Sequence, residues 1–191
     1  MRERTDIQKN LVKKYFNTAI PVLDLGCGYG RQCYMMARNE FDVTGVDNSS
    51  VFIDIGKELI AKHKLNAKFL CASVMDFRSS TKYKQVTLFD VIEHFRSAER
   101  IRFMKHLAEN ICDNGATVIL SFPYMNGGSL KDRLINMYKY FTSPISFLSA
   151  GKEHPYPIPF KNDFRKIFSP YFNLKECSNN NDTVFFVLEK E

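Results

Sequence analysis

The chain has 191 residues, 45% of them hydrophobic and 25% charged, with a formal net charge of +6 and a pI of about 9.0. That is the balance of an ordinary globular chain with room for one core, and no apolar run approaches the length of a membrane span. The basic excess is spread out rather than blocked, so it permits an anionic partner such as RNA, a phosphorylated metabolite or a membrane surface without requiring one.

The charged opening MRERTDIQKN lacks the apolar stretch of a signal peptide, so the expected compartment is the cytoplasm. Ile7, Leu11, Val12 and Tyr15 form a helical stripe over residues 5–17. "IPVLDL" then reads as a buried strand, followed by the loop "GCGYG" and a helix through "RQCYMMARNE". "FDVTGVD" is a second strand and "SSVFIDIGKELIAKHK" a second helix. "AKFLCAS" and "QVTLFDV" are further strands. Ser97 is placed to cap a helix that carries Ile101, Met104, Ala108 and Ile111 on one face. Asn114-Gly115 reads as a turn into the strand "ATVILSF". The order β-α-β-α-β-β-α-β predicts an α/β fold, a mostly parallel, doubly wound sheet with helices on both faces.

After Pro123 the pattern changes. Residues 124–155 hold "NGG", a helical piece and "HPYPIP", and read as a lid or substrate-binding insertion. "FKNDFRKIF" is a short helix, and "YFNLKEC" and "TVFFVLEKE" flank "SNNND" as a hairpin. With no repeat or linker, the whole of 1–191 reads as one domain. The five cysteines (Cys27, Cys33, Cys71, Cys112, Cys177) are odd in number and never spaced C-x-x-C, which argues for reduced thiols and against a disulfide framework or zinc site.

The stretch "VLDLGCGYG" carries the chemistry. A glycine-rich turn between strand and helix lets a ligand lie against bare backbone near the helix N-terminus. Its glycines, Gly26, Gly28 and Gly30, are spaced G-x-G-x-G, and Arg31 stands where a dinucleotide site has its third glycine. No Gly-Lys-Ser/Thr follows, which excludes a phosphate loop of the Walker type. Asp24 would repel a pyrophosphate but suits a ligand carrying an ammonium and a sulfonium, such as S-adenosylmethionine. Asp47 ends the second strand, where a carboxylate can accept both hydroxyls of a ribose.

"VLDLGCGYG", "VTGVD", "SVMDF" and "LFDVIEHF" resemble, in order and spacing, the motifs of class I S-adenosylmethionine-dependent methyltransferases, in particular the group that includes the ubiquinone-biosynthesis O-methyltransferases. The resemblance covers residues 20–122 well. It implies a Rossmann-like seven-stranded sheet whose last strand is antiparallel, and S-adenosylmethionine as cofactor. It further implies that Gly26 and Gly28 contact the methionine and ribose end and that Asp47 holds the ribose diol. Asp76 would accept from the adenine amine, Val74 would offer a backbone amide, and Phe89 would lie beside the methionyl part. Gln85 departs from the family, which usually has Asp there.

The sequence after the fourth strand narrows the acceptor. It has neither the Asn/Asp-Pro-Pro-Tyr loop of many amine methylases nor a Pro-Cys nucleophile, and together with the family resemblance this implies oxygen on a small molecule or glycan as the acceptor. His94 and His154 are candidate bases because imidazole titrates near neutrality, while His63 and His106 read as surface residues. Asp90, Glu93, His94 and His154 also resemble the cluster with which small-RNA 2′-O-methyltransferases hold a divalent ion. A metal-dependent RNA methyltransferase and a non-catalytic cofactor-binding protein therefore stand as alternatives.

Overall fold

A computed structural model describes residues 2–123, 161–180 and 183–191. Helix α1 (Arg2–Tyr15) leads into β1 (Val22–Leu25), α2 (Arg31–Ala37), β2 (Val43–Asp47), α3 (Ser50–Lys62) and β3 (Ala67–Cys71). Then come β4 (Tyr83–Phe89), a 3-10 turn (Ile92–His94), α4 (Ser97–His106), a π turn (Leu107–Ile111) and β5 (Cys112–Pro123). Helix α5 (Lys161–Phe168) and the strands β6 (Phe172–Asn179) and β7 (Thr183–Lys190) complete the described elements. The span 124–155, with His154 and the expected insertion, lies outside the described residues.

The strands form one sheet in the order β3-β2-β1-β4-β5-β7-β6. The first five strands run parallel, and β7 pairs antiparallel with both β5 and β6. This is the expected doubly wound sheet with an antiparallel hairpin at its end. The chain runs outward from β1 to β3, then returns to place β4 on the other side of β1. The reversal opens a crevice at the carboxyl ends of the strands.

Alternation along the strands sends residues to two cores. Leu23, Leu25, Val86, Leu88, Val118 and Leu120 pack toward α4 and α5, while Val22, Val43, Phe69, Ile119 and Val187 pack toward α1, α2 and α3. Several of the chain's seventeen phenylalanines collect on the first side. The Phe164 ring lies 4.8 Å from Phe122 and 5.4 Å from Phe186, and Phe168 lies 5.7 Å from Phe186, which anchors α5 on the sheet.

Three local expectations need correction. Asn114-Gly115 does not turn the chain into β5; the strand already begins at Cys112, and the pair sits in an irregularity where Tyr83 faces Cys112 but Gln85 faces Thr117. Gly115 supplies the positive φ of 71° there. Ser97 is the first residue of α4 rather than its cap, and the Glu99 carboxylate accepts the Arg96 N–H at 2.8 Å. Ile101 is 52% exposed. The buried first-turn place belongs to Arg100, whose Nε donates to the Ile92 carbonyl at 3.1 Å.

Candidate functional site

The glycine loop follows from the register of β1 and β2. Asp24 pairs with Gly45 and Leu25 with Val46, and the Val46 carbonyl then accepts the N–H of both Gly26 (2.7 Å) and Cys27 (3.1 Å). Gly26, Gly28 and Gly30 have φ of 69°, 53° and 84°, values at which any side chain is strained. Two of the three are also closed by packing. A Cβ on Gly26 would stand 2.4 Å from a Val91 methyl, and one on Gly30 would stand 2.6 Å from the Phe69 ring. At Gly28 a Cβ would meet no described atom within 4 Å. Gly28 therefore faces open space.

A cleft of about 560 Å3 lies beside it, lined among others by Gly26, Gly28, Asp47, Phe52, Val74 and His94. Asp47 stands at its lip. One carboxylate oxygen accepts the Gly28 N–H and the other the Ser49 N–H, both at 2.9 Å. A carboxylate has about four acceptor positions, so Asp47 keeps capacity for a ligand's hydroxyls. Ser73, Val74 and Met75 form the wall after β3. Asp76 follows as an exposed turn residue whose N–H donates to the Ser73 carbonyl at 3.1 Å.

On the other side of the loop, a cavity of about 110 Å3 is lined by Asp24, Gly26, Gly28, Gln32 and Phe89, among others. Asp24 is buried there and accepts Thr87 Oγ1 at 2.7 Å and the Cys33 thiol at 3.4 Å. Burial pushes its carboxyl up to about 6, against the pull of those two bonds and of the Arg31 charge. The folded chain thus keeps this proton to a higher pH than the unfolded chain does. The resulting stabilisation is full below about pH 4 and is lost as pH rises through about 6. Asp24→Asn, which does not titrate, should flatten the profile of unfolding free energy between pH 4.5 and 7.5 by roughly 2–3 kcal/mol. Parallel denaturant-melt profiles for the two proteins would contradict this.

The carboxyl end of β4 supplies the remaining candidates. Asp90 lines the cleft with a φ of 62°, strained for a residue other than glycine. Its carboxylate pairs with Arg4 of α1 and accepts Ser121 Oγ at 3.1 Å. His94 lines the same cleft, whereas Glu93 is fully buried. Burial pushes the Glu93 carboxyl up to about 7, against the charges of Arg4 and Arg100. Among the described residues no three His, Cys, Asp or Glu side chains are grouped to hold a metal ion. The fourth member of the expected cluster, His154, lies outside them.

Of the other histidines, His63 is exposed as expected. His106 is not: it is 7% exposed, with Nε2 at 2.9 Å from both the Phe77 carbonyl and Arg78. Gln85 is a structural clasp. Its amide donates to the Asn17 and Ile20 carbonyls (3.0 and 2.7 Å) and accepts the Asn17 N–H at 2.5 Å, which fixes the approach to β1. The sequence reading missed Phe52, Met75, Phe95 and Gln32 as lining residues, since only chain folding sets them beside the loop.

Residues 22–115 match the family described as a methyltransferase domain. A ubiquinone biosynthesis O-methyltransferase of Rickettsia typhi is 26% identical over 110 residues, 56% of this chain. The chain spans only 44% of that relative's length. An uncharacterised protein of Methanocaldococcus jannaschii is 26% identical over 140 residues, 71% of this chain and 55% of its own. Among solved structures, a Pyrococcus horikoshii protein superposes with a TM-score of 0.79 at 20% identity, covering 100% of this chain and 91% of its own. The magnesium protoporphyrin IX methyltransferase of Synechocystis, solved with bound S-adenosylhomocysteine, gives 0.77 at 20% identity, with 99% and 83% covered. These two likenesses are of fold. No described helix is long and apolar enough to cross a membrane.

Proposed function

Because the chain belongs to the class I S-adenosylmethionine-dependent methyltransferases, we propose that its cleft holds S-adenosylmethionine and that the protein methylates an oxygen of a small molecule or glycan. The observation that carries this reading is Gly28. It is left-handed, bare toward the cleft, and tied by its N–H to a carboxylate at the cleft's lip. A cradle of this shape suits a ribose lying on backbone with its hydroxyls on Asp47, and Val74 stands in the wall where the adenine would lie. Gly26, Asp24 and Phe89 border the cavity that would take the methionyl end.

When bound, S-adenosylmethionine supplies an electrophilic methyl group together with its own leaving group. The work left to the protein is to align an acceptor oxygen and remove its proton. His94 lines the cleft beside Val91 and Phe95 and is the residue we assign as base. Oxygen as the acceptor is supported by the likeness to the ubiquinone O-methyltransferases and by "DVIEH" in place of an Asn/Asp-Pro-Pro-Tyr loop.

The test is incubation with methyl-labelled S-adenosylmethionine and fractionated small-molecule, glycan and RNA extracts. Alkali-stable label is expected in an ether of the small-molecule or glycan fraction. Label confined to RNA or to nitrogen would overturn the acceptor assignment. With an acceptor in hand, His94→Ala should lower kcat about 100-fold or more. It should leave S-adenosylhomocysteine affinity within a factor of about three and remove the acidic limb of the pH–rate profile. An unchanged profile would exclude His94 as the base.

A further inference from the structure

Two thiols meet beneath the glycine loop. Cys27 sits in the loop between Gly26 and Gly28, and Cys33 in the first turn of α2. Gly45 of β2 faces both of them: a Cβ built there would stand 2.8 Å from each sulfur. The two sulfurs therefore lie no more than twice that distance apart; the Cys27 thiol donates to the Gly28 carbonyl at 3.6 Å and the Cys33 thiol to Asp24 Oδ2 at 3.4 Å. Only a glycine at position 45 leaves room for the pair. Cys33 is fully buried, but Cys27 keeps 9% of its surface and lines the smaller cavity beside Gln32 and Phe89. A small solute that enters this cavity meets Cys27, with the Cys33 sulfur close behind it.

We propose that Cys27 and Cys33 form a peroxide-sensitive pair whose disulfide disables the glycine loop; the effect on ligand affinity rests on the cofactor reading above. The oxidant is hydrogen peroxide, a two-electron oxidant. The Cys27 sulfur attacks one peroxide oxygen; an S–O bond forms, the O–O bond breaks, and the leaving hydroxide takes up the Cys27 proton and departs as water. Cys33 then attacks the Cys27 sulfur; the S–S bond forms, the S–O bond breaks, and the hydroxyl departs as water. The Cys33 proton passes through Asp24, the nearest acceptor, to that departing hydroxyl. The neighbouring Cys27 thiol and burial hold the Cys33 thiol well above its ordinary range, so a carboxylate beside it is what its attack requires.

The consequence follows from what hangs on Cys27. Its N–H is bound by Val46 and its carbonyl by Gly30, and the next residue carries the Gly28–Asp47 bond. Drawing the two sulfurs together to a bond of about 2.05 Å moves Cys27 toward α2 and shifts Gly28 away from Asp47. A ligand along the loop would in turn cover the route to Cys27.

The experiment uses the full chain carrying Cys71→Ser and Cys177→Ser, which removes the two more accessible thiols. Treatment with hydrogen peroxide should lower the intact mass by about 2 Da, reversibly with dithiothreitol. Trypsin cuts at Lys14, Arg31 and Arg38, so the disulfide should join peptide 15–31 to peptide 32–38. S-adenosylhomocysteine affinity should fall at least tenfold on oxidation and return on reduction, and the same ligand, added first, should slow the mass change. Cys33→Ala should keep its affinity through peroxide; if that variant does not fold, the 15–31 to 32–38 cross-link decides. No such cross-link, or an oxidised protein that binds as tightly as the reduced one, would overturn the proposal. Failure of the reduced protein to bind at all would instead overturn the cofactor reading, and the cross-link tests the thiol pair without it.

Discussion

Replacing Gly28 with valine should abolish binding of S-adenosylmethionine and S-adenosylhomocysteine while the protein still folds. A Cβ on Gly28 meets no described atom within 4 Å and the residue lines the cleft, so an isopropyl group there takes up volume beside the ligand rather than volume inside the protein. Its cost to the fold is the left-handed φ of 53°, roughly 1–2 kcal/mol for an L-residue and somewhat more for a β-branched one. Circular dichroism should show a native spectrum with a lowered Tm, and calorimetry no binding heat. Gly26→Val makes the contrast. There the added carbon meets Val91 at 2.4 Å, and the expected result is loss of the fold. A Gly28→Val protein that binds normally would place the ligand elsewhere.

Asp47→Ala should weaken S-adenosylhomocysteine binding at least tenfold, and by more than Asp47→Asn does. The carboxylate holds the loop through the Gly28 N–H, opens the turn into α3 through the Ser49 N–H, and offers its remaining lone pairs to the cleft. Each charge-assisted bond lost is worth about 1.5–3 kcal/mol, so even one ribose hydroxyl left without its acceptor accounts for the tenfold loss. Asparagine keeps one acceptor oxygen and should retain part of the affinity. Equal affinities for the wild type and both variants, each folded, would remove Asp47 from the site.

The sheet was legible in the sequence because its signals are local. The apolar strands, the glycine spacing after "VLDL" and the acid ending "VTGVD" each lie within ten residues and fix their own geometry. What escaped the sequence reading depends on neighbours distant in the chain. Arg100 rather than Ile101 takes the buried place on α4 because the Ile92 carbonyl waits there for its guanidinium. His106 is interior because the Phe77 carbonyl and Arg78 meet it from the loop after β3. Asn114-Gly115 has the composition of a turn, but pairing of Cys112 with Tyr83 carries the strand past it. The sequence marks Cys27 and Cys33 only as reduced thiols, and their nearness depends on Gly45, which only the register of β1 against β2 brings beneath the loop.

The cofactor proposed for the cleft beside Gly28 and Asp47 can be titrated into the protein: calorimetry with S-adenosylhomocysteine reads its binding without any acceptor. Saturable one-to-one binding is expected, displaced by S-adenosylmethionine, untouched by a nicotinamide dinucleotide, and lost in Gly28→Val. No binding heat from a folded, reduced protein, or displacement by the dinucleotide instead, would contradict that proposal.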